Sequence, residues 1–60
     1  MTYSEHAMVR LTKTGTEIEV GAVGTIVAVY AHAYEVEFLD GNGVTLVVLT
    51  LEAEDIDCAP

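Results

Sequence analysis

The chain has few of the features that hold a short sequence together. Its 60 residues include a single cysteine, Cys58, and no tryptophan, so no disulfide can form within it. A domain of this size buries only about 60% of the surface that its unfolded chain exposes. No Cys/His cluster offers a structural metal, and we expect neither a metal nor a cofactor. Self-association is the remaining source of extra stability.

Basic residues are also scarce. The chain has one arginine and one lysine but ten aspartate and glutamate residues in all, which gives a formal net charge of −8. Such a surface repels phosphate backbones, so we expect no nucleic-acid partner. No run approaches the ~20 apolar residues that span a bilayer, and no basic segment followed by an apolar run opens the chain. These absences predict a cytoplasmic protein with no membrane contact.

Three β-type runs separated by short turns fill much of what remains, over residues 24–30, 34–40 and 44–51. The middle run alternates cleanly, with Tyr34, Val36 and Phe38 predicted to face the core and the intervening glutamates predicted to face outward. Asp-Gly and Asn-Gly both occur within residues 40–43, and these dipeptides are the strongest short hairpin signals. The pattern predicts an antiparallel meander.

The flanking segments predict two shorter strands and a turn. Residues 8–11 form a first strand with Val9 and Leu11 inside, and residues 12–20 form a hairpin-like excursion with Ile18 and Val20 on the core. A second strand is predicted over residues 25–30, and the pattern does not decide which of its alternate side chains face the core. Residues 52–55 form one helical turn, and residues 56–58 form the last strand.

The predicted fold class is therefore all-β: a single five-stranded antiparallel SH3-like barrel with one short helical turn before the last strand. We expect residues 1–7 to be a flexible N-terminal lead and residues 8–58 to form the barrel domain.

The predicted hairpin has a consequence for the fourth strand. A loop of two or four residues places Val47, Leu49 and Leu51 on the inner face. Leu46 and Val48 then point outward beside Glu35 and Glu37, an apolar strip with no core of its own chain to cover it. We call Leu46 and Val48 the outer strip and predict that it mediates self-association, with help from the second face of the second strand, most simply as a two-fold dimer.

Several of these runs carry a likeness to a known family. Residues 21–27 (GAVGTIV), Tyr30, residues 34–38 (YEVEF), and Thr50-Leu51 with Asp55-Ile56 resemble a family of small uncharacterised bacterial domains of about 60 residues. The likeness covers roughly residues 8–57. It implies an SH3-like barrel, with some members encoded in mobile gene cassettes, and it implies no activity. The chain resembles KOW-type and nitrile-hydratase-subunit barrels more loosely, but it lacks the basic loops of nucleic-acid-binding relatives.

Individual side chains offer little chemistry. Cys58 stands beside Asp57, which disfavours a thiolate, so we interpret it as a structural or incidental thiol. His6 and His32 are expected to be exposed turn residues. The stretch from Asp40 resembles the start of a calcium loop, but its twelfth position is Leu51 rather than the required glutamate.

Two groups have alternative interpretations. The acidic cluster of Glu52, Glu54, Asp55 and Asp57 is either a solvated turn or a site that attracts a cation or a basic partner. The aromatic pair Tyr30 and Tyr34 either grips a proline-rich peptide or packs across strands at a hairpin end, which we favour.

The sequence thus predicts a non-catalytic binding module with another protein or a second copy of itself as its partner, because no nucleophile with a base, carboxylate pair or metal triad can be assembled. The alternative is an accessory subunit or domain of an enzyme complex, in keeping with the nitrile-hydratase-subunit likeness. The third is a KOW-like nucleic-acid-binding module, which the negative charge disfavours.

Overall fold

The computed structural model describes residues 2–59; Met1, the first residue of the predicted lead, and Pro60 lie outside the described residues. The elements are β1 (Met8–Leu11), β2 (Val23–Val29), β3 (Tyr34–Leu39), β4 (Thr45–Leu51), a 3-10 turn (Ala53–Asp55) and β5 (Ile56–Cys58). All pairings are antiparallel, in one five-stranded sheet. The predicted fold class, all-β with five antiparallel strands and a helical turn before the last strand, is confirmed.

The strand order is β4-β3-β2-β1-β5. β2, β3 and β4 form the predicted meander, and the chain ends then meet where β1 pairs with β5. This order leaves two edge strands of unequal length, because β4 has seven residues and β5 has three.

The core comes from alternate positions of the strands. Its buried side chains are those of Val9, Leu11, Ile26, Tyr34, Val36, Phe38, Leu51 and Ile56. The predicted inner faces of β1 and β3 are confirmed. On β4, Val47 and Leu49 are partly buried and pack against this core, as the predicted parity requires.

β2 contains an irregularity that decides its side-chain parity. Ile26 pairs with Val36 and Ala28 pairs with Glu35, so Val27 lies between them without a cross-strand partner, in a β-bulge. Ile26 is fully buried, whereas Val27 is exposed. The extra residue lets β2 bend while Ile26 stays in the core.

The excursion over residues 12–20 was predicted to be hairpin-like rather than a core strand, and it contains bends and no strand. Ile18 packs on the core as expected. The prediction for Val20 was wrong, because its side chain is 50% exposed. Gly21, at φ +95°, turns the chain back to β1, and its N–H donates to the Leu11 carbonyl. Because the chain turns here, the two-residue alternation of a strand does not apply, and the side chain of Val20 is not directed into the core.

The β3-β4 hairpin reaches the predicted parity by a different route. The Asp40 N–H donates to the Val44 carbonyl, and Gly43 has φ +81°, which makes the loop three residues long rather than two or four. A three-residue loop by itself would direct the predicted inner side chains of β4 outward. Phe38 pairs with Val47 and Leu39 with Thr45, so Leu46 is an extra residue without a partner. This bulge restores the facing that the sequence predicted.

Residues 2–7, expected to be a flexible lead, lie against the sheet. Tyr3 and Ala7 are partly buried on the core. The His6 N–H donates to the Ile26 carbonyl, and the Ile26 N–H donates to the Ala7 carbonyl. These bonds continue the pairing of β2 beyond the start of β1.

Candidate functional site

The exposed side of β4 is the part of the described chain that most resembles a binding surface. In the outer strip, Leu46 is 60% exposed and Val48 is 43% exposed. Leu39, at the end of β3, and Val44, just before β4, are also exposed. Strand β4 has the sequence TLVVLTL and carries no charged residue. It is thus an uncharged strand in an acidic chain.

Two carboxylates flank the outer strip on the neighbouring strand. Glu37 pairs with Val48 and Glu35 pairs with Thr50 across the β3-β4 ladder. The Thr50 hydroxyl donates to a Glu35 carboxylate oxygen at 2.6 Å, and the Thr45 hydroxyl donates to a Glu37 carboxylate oxygen. The threonines therefore hold both glutamates beside β4, at the border of the outer strip.

β4 also has a free backbone edge. In an antiparallel sheet, residues of an edge strand direct their N–H and C=O groups alternately toward the neighbouring strand and away from it. Among residues 2–59, no backbone hydrogen bond outside the strand ladders involves Thr45–Leu51. The outward-directed groups of β4 are consequently available to another strand.

The predicted aromatic pair is only partly brought together. Tyr30 and Tyr34 both line an open concavity of about 330 Å³ between the β2-β3 turn and the 3-10 turn. Tyr34, however, is only 7% exposed, and its ring packs edge-to-face on Tyr3 with centroids 5.6 Å apart. Tyr30 is 54% exposed. The aromatic contact that forms is therefore between Tyr3 and Tyr34, a partner that local sequence spacing could not reveal.

Tyr3 is held by hydrogen bonds of both its backbone N–H and its side-chain hydroxyl. Its N–H donates to the Tyr34 hydroxyl at 3.1 Å, and its own hydroxyl donates weakly to the Ile56 carbonyl at 3.5 Å. Burial, together with nearby Cys58 and Asp57, raises the pKa of the Tyr3 phenol above its ordinary value. The raised pKa favours the neutral phenol over the phenolate.

The other candidate residues lie apart from one another. His6 and His32 are exposed in turns, as predicted. Cys58 is an exposed free thiol, and its N–H donates to the adjacent Asp57 carboxylate. Within the described part of the chain, no three histidine, cysteine or acidic side chains are grouped as metal ligands.

The acidic cluster has one structural role. Glu52 and Asp55 form a capping box at the 3-10 turn, in which the Asp55 carboxylate accepts the Glu52 N–H at 3.0 Å. Two members of the cluster thus cap a turn. Glu54 and Asp57 are exposed.

The chain matches a known family. A family model described as a domain of unknown function, DUF4926, matches residues 5–58. The chain belongs to this family. The match spans every strand of the sheet and the 3-10 turn. No curated protein and no solved structure matches the chain. No helix among residues 2–59 is long and apolar enough to cross a membrane.

Proposed function

We propose that this DUF4926 domain is a cytoplasmic, non-catalytic protein-interaction module, built as an SH3-like barrel, that self-associates through the outer strip. The exposure of Leu46 and Val48 on an uncharged edge strand supports this proposal most directly. Large exposed apolar side chains grouped on one strand are typical of interaction surfaces.

The size of the core gives self-association an energetic reason. Eight buried residues form the described core, and domains below about 70 residues rarely obtain more than about 3–5 kcal/mol from such a core. Burying a leucine or valine side chain fully contributes about 1.5–3 kcal/mol. Leu46 and Val48 are only partly exposed, so covering them yields a fraction of this contribution, which still adds to the small free energy of folding.

The absence of a catalytic role is part of the proposal. Among residues 2–59, the exposed Cys58 belongs to no group of three histidine, cysteine or acidic side chains, and its backbone N–H donates to the adjacent Asp57 carboxylate. His32, Glu52 and Glu54 line the same concavity as Tyr30. That concavity is open and contains no nucleophile paired with a base, so its shape favours packing or weak contact over chemistry.

Light scattering at micromolar concentration tests the proposal. The wild-type chain should have a mass that is a multiple of 6.4 kDa. The double variant Leu46→Glu with Val48→Lys should be monomeric, because charged side chains in an apolar contact must be desolvated. A matched control, Val20→Glu with Tyr30→Lys, introduces the same charges at two exposed positions away from β4 and should leave the mass unchanged. A folded wild-type monomer would refute self-association.

A further inference from the structure

We infer that the free edge of β4 pairs antiparallel with β4 of a second copy, about a two-fold axis beside Val48, to form one continuous ten-stranded sheet. This inference rests on the proposed self-association and specifies how it occurs. It accounts for the exposed outer strip and for the partial burial of Val47 and Leu49, because each of these residues lacks a neighbour on the open side of β4.

The edge itself is unprotected. Natural edge strands are usually short, charged, interrupted by proline or covered, which prevents pairing with other chains. β5 follows this rule, with three residues that include Asp57. β4 has seven residues without a charge or a proline, and no described backbone bond outside the ladder covers it.

Charge favours a second copy as the occupant. A basic partner would be drawn to carboxylates, and β4 has none, whereas an identical uncharged strand meets no like charge across the axis. Glu52 directly follows β4, and the carboxylates that flank the strand itself, on Glu35 and Glu37, belong to the neighbouring β3. Across a paired edge, the two β3 backbones would be separated by three spacings, about 14 Å. The carboxylates lie closer to the edge, because they accept hydrogen bonds from Thr45 and Thr50 of β4, but they stay in water, where salt screens their repulsion.

Stacking of the two outer faces is disfavoured by the same groups. It would bring Glu35 and Glu37 of both copies under the contact, where their desolvation opposes association. Edge pairing leaves these carboxylates in water and still gives Leu46 and Val48 neighbours on the partner strand.

The bulge and the charges around β4 select the register. Leu46 is the extra residue of the bulge, so regular alternation of the strand begins there. In an antiparallel pair, directly opposed residues have their side chains on the same face of the sheet. A two-fold axis between two copies of β4 meets this condition only when it lies beside one residue, which is then opposite its own copy. If the two-fold axis lay beside Leu49, Glu52 of one copy would be opposite Leu46 of the other. If the axis lies beside Val48, residues 46–50 of one copy pair only with residues 46–50 of the other, which gives about four to six interchain hydrogen bonds.

Pairing of this kind closes on itself. Each copy uses its one long edge, and the edge that remains exposed is β5 with its Asp57. A two-fold contact of identical surfaces does not propagate. The result is a dimer rather than a fibre.

Disulfide trapping tests the register in a Cys58→Ser background. Val48→Cys should become a disulfide-linked dimer under mild oxidation, because residues opposite their own copies have Cα atoms about 4.5–5.5 Å apart. Leu46→Cys is the matched control, since its copies would be about 14 Å apart, four residues along the ladder. It should remain largely unlinked. Linkage of Leu46→Cys without Val48→Cys would overturn the proposed register.

Amide hydrogen exchange of the wild-type chain tests the edge without substitution. Alternate amides within residues 46–50 should gain protection when the concentration rises above the dissociation constant, while those directed toward β3 are protected at both concentrations. A dimer by light scattering without this period-two gain would refute edge pairing and leave the proposed self-association intact. A monomer at every concentration would refute both.

Discussion

Gly24 shows how one residue sets the distance between two strands. It is buried in β2, and a Cβ added there would lie 2.7 Å from a Val36 methyl, 2.9 Å from the Glu37 carbonyl oxygen and 2.9 Å from the Phe38 ring. Two of these neighbours belong to the core and one is backbone, so none can move aside freely. Glycine is therefore required here by close packing rather than by a left-handed backbone.

We predict that Gly24→Ala lowers the free energy of unfolding by about 1–3 kcal/mol, the usual range for overpacking a core. Urea denaturation followed by circular dichroism measures this change. Gly41→Ala is the matched control, because no atom lies within 4 Å of its added Cβ. Equal stability of the two variants would show that β2 can separate from β3 at no cost.

The β3-β4 hairpin is the element that presents the outer strip. Its turn is organised by Asp40, whose Oδ1 accepts the Asn42 N–H at 2.8 Å and the Val44 N–H at 3.0 Å. Gly43 supplies the left-handed residue that completes the three-residue loop. The three-residue turn and the Leu46 bulge each shift the register of β4 by one residue, so together they leave its predicted inner side chains facing the core.

Asp40→Ala should lower the free energy of unfolding by about 1–2 kcal/mol, since two backbone donors lose their acceptor and must be satisfied by water. Thermal denaturation measures the effect. Asp40→Asn retains an Oδ1 acceptor and should remain close to wild type. If the asparagine variant were as unstable as the alanine variant, the negative charge rather than the two hydrogen bonds would organise the turn.

The whole molecule combines an uncharged edge strand with a net charge of −8. Repulsion between two such copies acts over the Debye length, which falls from about 30 Å at 0.01 M salt to about 8 Å at 0.15 M. Apolar contact and edge hydrogen bonds depend much less on salt. The balance between association and repulsion is therefore adjustable by ionic strength.

We predict that the dimer dissociation constant decreases as salt is raised from 0.01 M to 0.15 M, measured by sedimentation equilibrium. Glu35→Gln with Glu37→Gln removes two charges per subunit near the edge and should tighten the dimer chiefly at the lower salt. A dissociation constant that increases with salt would mean that attraction between charges, rather than apolar and backbone contact, holds the copies together.

The sequence predicted the parts of this fold that depend on local pattern. Alternation in β3 placed Tyr34, Val36 and Phe38 in the core, and the Asp-Gly and Asn-Gly dipeptides placed the hairpin. Such predictions succeed because the two-residue period of a strand and the conformational needs of a turn are properties of short segments. The outward facing of Leu46 and Val48 was predicted from a loop of two or four residues, and it is reached instead by a three-residue loop together with the bulge at Leu46.

Only the tertiary structure decided the rest. The bulges at Val27 and Leu46 arise because β2 and β4 must follow their neighbours around the core, a constraint that no local window contains. The Tyr3-Tyr34 contact joins residues 31 positions apart. The position of β4 at a sheet edge depends on which strands pair, and pairing across the chain is settled by the packing of all five strands together.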